Sequence, residues 1–297
     1  MFYNIFIMKN VDLHIHSLFS DGVMSMEELI KEAKEKDLAA ISITDHDTAE
    51  GYKNFDIKNQ GIEIITGTEL LCTAGGCAIE ILVYGFDYPI MAEFIKTNCP
   101  TREYESITKT EREIALLKNM GIDISFDTKN YDYSIPGAWI IRDFYNQLIT
   151  DEKFKKIASA ENPKLLEGDK PFLRWGINNI NSKFFVNMSD VCASLEDIRK
   201  FCNDNHCLMI LAHPYEYGET MDYVLNIAKD YVDGIEIYHP TANAQGREYL
   251  RAFALKNNLM ISGGSDYHGF RGQMNSQKVP EDVYKNILSR LKVETTI

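Results

Sequence analysis

The 297-residue chain contains no apolar run long enough to cross a bilayer, and its net charge of −13 leaves no basic excess. The first absence argues against a membrane-spanning helix. The second argues against tight binding to long nucleic acid, which needs a basic track along the phosphates. The six cysteines show no zinc-knuckle spacing: Cys72/Cys77 and Cys202/Cys207 are each separated by four residues, too wide for that purpose. Reduced, buried thiols and a cytoplasmic compartment are expected instead. Internal repeats and low-complexity segments are also lacking. Met1 to Met8 is apolar, but without a basic leader or a small-residue cleavage site it does not read as a signal peptide. The functional text is expected to begin at Met8-Lys9-Asn10, the preceding residues being either a poorly packed extension or the product of an upstream start codon.

What is there is an ordinary globular composition, 45% hydrophobic and 25% charged, in a length that suits one α/β barrel or one domain with an insertion. Val11 to His16 alternates as a strand, which puts His14 and His16 on one face. Asp21-Gly22 is a turn that can fold a carboxylate back toward them. Ser25-Met26-Glu27-Glu28 is a capping box opening a helix over 26–37, and a second strand over 39–45 ends in Asp45-His46-Asp47. Further strands are expected at 62–66, within a run ending on Glu69, and at 79–86, carrying Glu80. A helix is expected at 89–98. This strand-helix rhythm predicts a parallel sheet.

The rhythm stops between 98 and 185. A charged helix over 103–120 ends at Gly121, another opens after Pro136, and an irregular stretch with Pro163, Gly168, Pro171 and Gly176 follows. This middle part reads as a mainly helical insertion over one end of the barrel, dividing the chain into 1–97, 98–185 and 186–297. The rhythm then resumes. Strands at 208–212, 232–238 and 259–263 end in His213-Pro214, His239-Pro240 and Gly264-Ser265-Asp266-Tyr267-His268-Gly269. Helices follow at 194–205, 243–257 and 281–291.

Six of the seven histidines stand at predicted strand ends, and His206 is the exception, read as structural. A lone histidine is most simply a packed or solvated imidazole. Pairs delivered together at strand ends, His14 with His16 and Asp266 with His268, are poorly explained by packing. In a parallel barrel all these ends lie on one face. Five imidazoles and three or four carboxylates exceed the roughly three protein ligands of one catalytic zinc. The site is therefore expected to hold more than one divalent ion, with a carboxylate as bridge.

These strings (D-L-H-I-H-S with S-D-G, T-D-H-D, G-T-E, A-H-P and G-G-S-D-Y-H-G) resemble the polymerase and histidinol phosphatase (PHP) superfamily. The branch is the one with a helical insertion, which includes nucleoside 3′,5′-bisphosphate and AMP phosphatases and RNA-trimming enzymes. The resemblance implies a distorted (β/α)7 TIM-like barrel and two or three ions drawn from Mn, Zn, Fe or Mg. It implies that His14, His16, Glu69 and Asp266 hold one ion and that Glu69 bridges to a second at His213. Asp21, His46 and His268 would hold a third. Glu80 stands where the branch usually has a histidine: it ligates, favouring oxygen-preferring ions, or it leaves the second site weak, or it points away to a lysine. Where the branch often reads Arg-Pro-His-Ile-Ala, this chain has Gly137 and Trp139. Arg142 or Arg112 could supply the missing charge, or both are plain surface arginines. Trp139 could stack on a base or fill a core.

The chemistry expected is in-line attack by a hydroxide bridging two ions on a small anionic phosphomonoester such as AMP or a nucleoside bisphosphate. Asp45 and Asp12 would orient histidine rings. His239 is the acid for the leaving oxygen, or a rim imidazole beside Pro240. Rival readings are a histidinol-phosphate-type phosphatase, a 5′–3′ exonuclease on short RNA, and a non-catalytic metal-binding module. An amidohydrolase would want a lysine at a strand end where Glu69 stands.

Overall fold

The structure, a computed structural model, describes residues 9–133 and 139–294. Met1 to Met8, Gly137 and Ala138 lie outside the described residues. No helix among these residues is long and apolar enough to cross a membrane. The chain runs β1 (Asn10–Ile15), α1 (Met26–Glu35), β2 (Ala40–Ile43), β3 (Glu63–Ile64), β4 (Gly67–Ala74), β5 (Cys77–Tyr84) and α2 (Tyr88–Asn98). The insertion follows with α3 (Arg102–Asn119), α4 (Ile140–Leu148), α5 (Glu152–Glu161) and a short α6 (Asp169–Phe172). The chain ends with β6 (Ala193–Ser194), α7 (Leu195–Asn205), β7 (Leu208–Leu211), α8 (Met221–Ala228), β8 (Gly234–Tyr238), α9 (Ala244–Lys256), β9 (Met260–Gly263), β10 (Val279–Pro280) and α10 (Glu281–Glu294).

The α/β class is as expected, but the ladders do not form one parallel barrel. The strands divide into a four-stranded sheet, β10-β1-β2-β3, and a six-stranded sheet, β6-β4-β5-β7-β8-β9. In the second sheet β5 runs antiparallel to both β4 and β7. The cause is local. Ala74 pairs with Cys77 across Gly75-Gly76, and both glycines have positive φ, as a type I′ hairpin loop requires. Two further corrections follow. Glu69 does not end a strand but is the third residue of β4, whereas Glu80 sits within β5 as expected. The helix after Pro136 begins at Ile140, with Trp139 extended before it. Helices α5 and α8 were not read from sequence, whereas α1 has the expected Ser25/Glu28 capping box.

The two sheets meet at isolated parallel bridges, Ile15 to Tyr267 and His46 to Glu69. His16 N–H donates to the Tyr267 carbonyl at 2.8 Å and Asp266 N–H to the His14 carbonyl at 2.9 Å. On the other seam Asp47 N–H donates to the Glu69 carbonyl at 2.9 Å. Gly264 lies so close to β1 that a Cβ there would come within 2.3 Å of the His14 Cβ. The seams therefore set which side chains converge. β1 is buried on both faces, with Val11, Leu13 and Ile15 on one and Asp12, His14 and His16 on the other.

The insertion carries its own apolar cluster, including Leu117, Phe144, Phe154, Phe172 and Phe184. The buried face of α3 is partly polar. Lys109 pairs with Glu105, but Glu113 is fully buried and neither of its carboxylate oxygens has a partner. Burial, then the nearby Glu161, hold its pKa well above the usual carboxylate value. An unfolded glutamate releases its proton near pH ~4.3, so above that pH the folded state keeps a proton the unfolded state has lost. Stability then falls with rising pH by at most about 1.4 kcal/mol per unit until the folded group also ionises. Glu113→Gln removes this loss. Urea unfolding should show a stability gain over wild type that is small at about pH 5 and larger at about pH 8; a gain that is flat or shrinks with pH contradicts the assignment.

Candidate metal centre

Each side chain of the site is delivered by one of the seams or by a turn beside it. β1 gives His14 and leads directly into His16, the turn after it gives Asp21, the segment after β2 His46, β4 Glu69 and β5 Glu80. His213 follows β7, and Asp266 and His268 follow β9. Asp47, His213 and Asp266 have positive φ, a strained backbone for residues with a Cβ. Such strain collects where surrounding structure fixes a functional group.

Glu69 is the centre. One carboxylate oxygen, Oε2, lies 3.1 Å from His14 Nε2, 3.4 Å from His16 Nε2 and 3.2 Å from His46 Nδ1. The other, Oε1, lies 2.8 Å from His213 Nε2. Asp266 Oδ1 is 3.2 Å from His16 Nε2 and 3.6 Å from His14 Nε2. Asp21 Oδ1 is 3.2 Å from His268 Nε2 and 3.8 Å from His46 Nε2. Glu80 reaches His213 Nε2 at 3.2 Å and His46 Nδ1 at 3.6 Å. Its ion-pair partners are thus imidazoles and not a lysine.

Three groups have donor atoms all within 4.8 Å of one another: His14/His16/Asp266, His16/Asp21/His46/His268, and His46/Glu69/Glu80. All nine expected ligands are brought together, with His213 entering through Glu69 and Glu80. The donor set fits divalent cations on a further ground. His16 is fully buried, yet neither ring nitrogen makes a hydrogen bond, and Asp21 Oδ1 and His213 Nδ1 likewise make none despite nearby charged groups. Buried polar atoms left this way are costly unless something polar or charged meets them.

Neighbours fix which nitrogen faces the site. His14 Nδ1 donates to Glu236, 3.1 Å from Oε1, which turns Nε2 toward Glu69. His268 Nδ1 donates to the Asp266 carbonyl at 2.8 Å, with the same result. His239 differs, because both contacts of its Nδ1 come from Thr241, whose Oγ1 lies 2.8 Å away and can accept or donate. The Thr241 backbone N–H, which can only donate, reaches Nδ1 at 3.3 Å. The His239 Nε2 is buried, without a hydrogen-bond partner and 3.7 Å from Asp266 Oδ2.

Burial alone would lower the pKa of His14, but Glu69 and Glu236 outweigh it and hold the ring well above the usual imidazole value. For His213 burial is again overcome, here by Tyr217, Glu216, Glu69 and Glu80. Burial would raise Glu69, yet His14 and His46 hold it well below the carboxylate range. The pocket is thus a concentrated negative field that takes up positive charge, as protons or as metal ions that would displace them.

Four expected roles change. Asp45 does not orient a ring: its carboxylate accepts from Ser17 N–H at 2.7 Å and from the Ser17 and Ser20 hydroxyls, pinning the turn that holds Asp21. Asp12 likewise accepts from Ser265 and Asn275 N–H. Arg112 is committed to Asp190 and the Asn187 carbonyl, and Arg142 to its neighbour Asp143. Trp139 packs against the apolar cluster of the insertion. His206 caps α7 in a left-handed conformation, the structural role expected.

The sequence reading missed Glu236, which lies on β8 and also accepts from His213 N–H at 2.9 Å. A carboxylate inside the apolar run Gly234-Ile235-Glu236-Ile237 was the available signal. It also missed the cations. Arg102 Nη2 lies 3.2 Å from Asp21, and Arg271 Nη2 lies 3.3 Å from Asp266 and 3.0 Å from His268 Nε2. Arg174 pairs with Glu216, and Lys170 is lowered by burial and then by the charges of Arg271 and Arg174.

A family model described as the PHP domain matches residues 12–293. The chain belongs to the PHP family. Among known relatives, a 5′–3′ exoribonuclease of Haemophilus influenzae is 27% identical over 269 residues, covering 88% of this chain and 90% of that one. A 3′,5′-nucleoside bisphosphate phosphatase of Chromobacterium violaceum is 24% identical, covering 88% of each. A solved structure described as an amidohydrolase from C. violaceum, with bound sulfate and no metal, shares the fold. Its TM-score is 0.62 at 20% identity, over 95% of this PHP chain and 96% of that one.

If Glu69 joins neighbouring cations, its neutral isostere should lose them. Wild type loaded with Mn²⁺ or Zn²⁺ and desalted should retain two or three equivalents by elemental analysis, and Glu69→Gln at least one fewer. Equal retention by a folded variant would contradict this.

Proposed function

We propose that this PHP-family chain is a metal-dependent phosphoesterase that hydrolyses a small phosphomonoester, with a nucleoside phosphate or 3′,5′-bisphosphate as first choice. The two sheets are read as the halves of a distorted barrel whose rim holds the site, and residues 98–185 as a helical cover. The observation that carries the proposal is the pairing of an anionic ligand cluster with cations around it, in a chain of net charge −13. The cluster suits metal ions, and Arg102, Lys170, Arg174 and Arg271 suit the free oxygens of a phosphate.

His14, His16, Glu69 and Asp266 would hold one ion; Glu69, Glu80 and His213 a second; Asp21, His46 and His268 a third. Bound divalent ions supply an activated water of near-neutral pKa and offset the phosphate charge. The protein's own part is to fix geometry and move a proton. Glu236 holds the His14 ring and the His213 backbone in place. Arg271, on the turn after His268, is placed to orient the phosphate. His239 is the candidate donor to the leaving oxygen: in the protonated ring Nδ1–H can donate to Thr241 Oγ1 at 2.8 Å, and transfer of the Nε2 proton to the leaving oxygen returns the ring to neutral.

A second reading, trimming of short RNA from the 5′ end, is favoured by one observation: the H. influenzae exoribonuclease matches along nearly its whole length. Phosphate or nucleotide release should be measured with Mn²⁺ or Zn²⁺ on AMP, 3′-phosphoadenosine 5′-phosphate, a short 5′-phosphorylated RNA and histidinol phosphate. Turnover of the nucleotides without histidinol phosphate supports the first choice, and faster mononucleotide release from RNA supports the second. Preference for histidinol phosphate overturns both. In the preferred assay Arg271→Ala should raise KM by about tenfold, the scale of one charge-assisted contact. No change in KM would remove Arg271 from substrate binding.

His239 has its own test. His239→Gln should slow hydrolysis of an alkyl phosphate such as AMP by about 100-fold or more. It should slow 4-nitrophenyl phosphate far less, because that leaving oxygen needs no proton. Equal losses on both would show that His239 is not the acid.

A further inference from the structure

Phe270 is 68% exposed although it immediately follows the ligand turn, with its ring centroid 6.2 Å from that of His268. It does not stand alone. Val23, 52% exposed, donates its N–H to the His268 carbonyl at 3.0 Å, which laces the turn after β1 to the turn after β9. The two turns approach so closely that a Cβ on Gly269 would come within 2.7 Å of Val23 Cγ2. Leu18, also exposed, closes the same turn by donating to the Met24 carbonyl at 2.9 Å. Uncovered apolar side chains grouped at the edge of a polar site mark a surface that a ligand covers.

The chemistry beside the patch selects the occupant. Arg271, next in sequence to Phe270, reaches Asp266 and His268, and Arg102 reaches Asp21 on the turn that carries Leu18 and Val23. A ligand whose phosphate enters among these cations and ligands would extend its remaining part over Phe270. That part must be flat and weakly polar to profit from an aromatic face.

We propose that Phe270, flanked by Val23, is the platform on which the nucleobase of the substrate stacks. The proposal rests on the phosphoesterase reading and deepens it, by making the enzyme prefer a phosphate attached to a nucleoside over the same phosphate on a bare sugar. Stacking on an aromatic face is tolerant of base identity, so the site distinguishes nucleotides from sugar phosphates more than one base from another.

The test compares AMP with ribose 5-phosphate, which carries the same ester without the base, on the full chain with Mn²⁺. Binding is followed by calorimetry and turnover by phosphate release. Wild type should favour AMP in Kd and KM, Phe270→Ala should lower that preference by about tenfold, and Phe270→Tyr should keep it. Equal affinity of wild type for the two compounds, no measurable binding of either, or an Ala variant with the wild-type preference would overturn the platform. So would a change in self-association in Phe270→Ala with the preference intact, which would assign the residue to contacts between copies of the chain. A preference in binding that depends on Phe270, with no phosphate released from any compound, would leave the platform standing and sink the hydrolase reading.

Discussion

Glu69 is almost wholly buried with four imidazoles between 2.8 and 3.4 Å from its oxygens. An isolated carboxylate removed from water in this way costs several kcal/mol, and only nearby positive charge repays it. Protons on His14 and His213 can supply that charge, and so can divalent ions. The rest of the fold bears on keeping this group in place. The hairpin β4–β5 brings Glu80 beside it, and the two sheet seams bring His14, His16 and His46 from the other sheet. Glu236 holds His14 from behind. Ligands from both sheets mean that relative movement of the sheets is a movement of the site, which is why close packing such as Gly264 against His14 matters for chemistry as well as stability.

The outer layer follows from the inner one. A pocket this acidic repels an anionic substrate unless cations lie around it, and the insertion contributes three of them, Arg102, Lys170 and Arg174. Lys170 bears a cost there: burial, and then the charges of Arg271 and Arg174, lower its pKa. Under the proposed function, a phosphate held among these cations would repay that cost. The helical segments that carry these cations have an apolar cluster of their own, separate from that of the sheets.

Much of the site was legible because chemistry-bearing residues came at strand ends in pairs. His14 and His16 share a face by simple alternation, and Asp266 and His268 are spaced likewise. The fold was less legible where one short signal changed the direction of the chain. Gly75-Gly76 between two apolar runs is a strong hairpin signal, yet the surrounding strand-helix rhythm favoured a parallel reading, and Glu69 was placed at the wrong point of its strand. The cations were not legible at all. Arg102 and Arg174 differ from Arg112 and Arg142 in what lies opposite them, and that depends on packing between segments far apart in sequence. The misreading of Asp45 has the same origin: a carboxylate next to a ligand histidine can serve the ring or the neighbouring turn, and only the position of Ser17 and Ser20 decides.

The central claim is that the imidazoles and carboxylates around Glu69 grip several cations at once. Anomalous X-ray scattering from crystals grown with Mn²⁺ tests it most directly. Two or more ions should be found, each within coordination distance of the ligand set named above and at least one on Glu69. A single ion remote from Glu69, or none in crystals soaked at saturating Mn²⁺, would contradict the account.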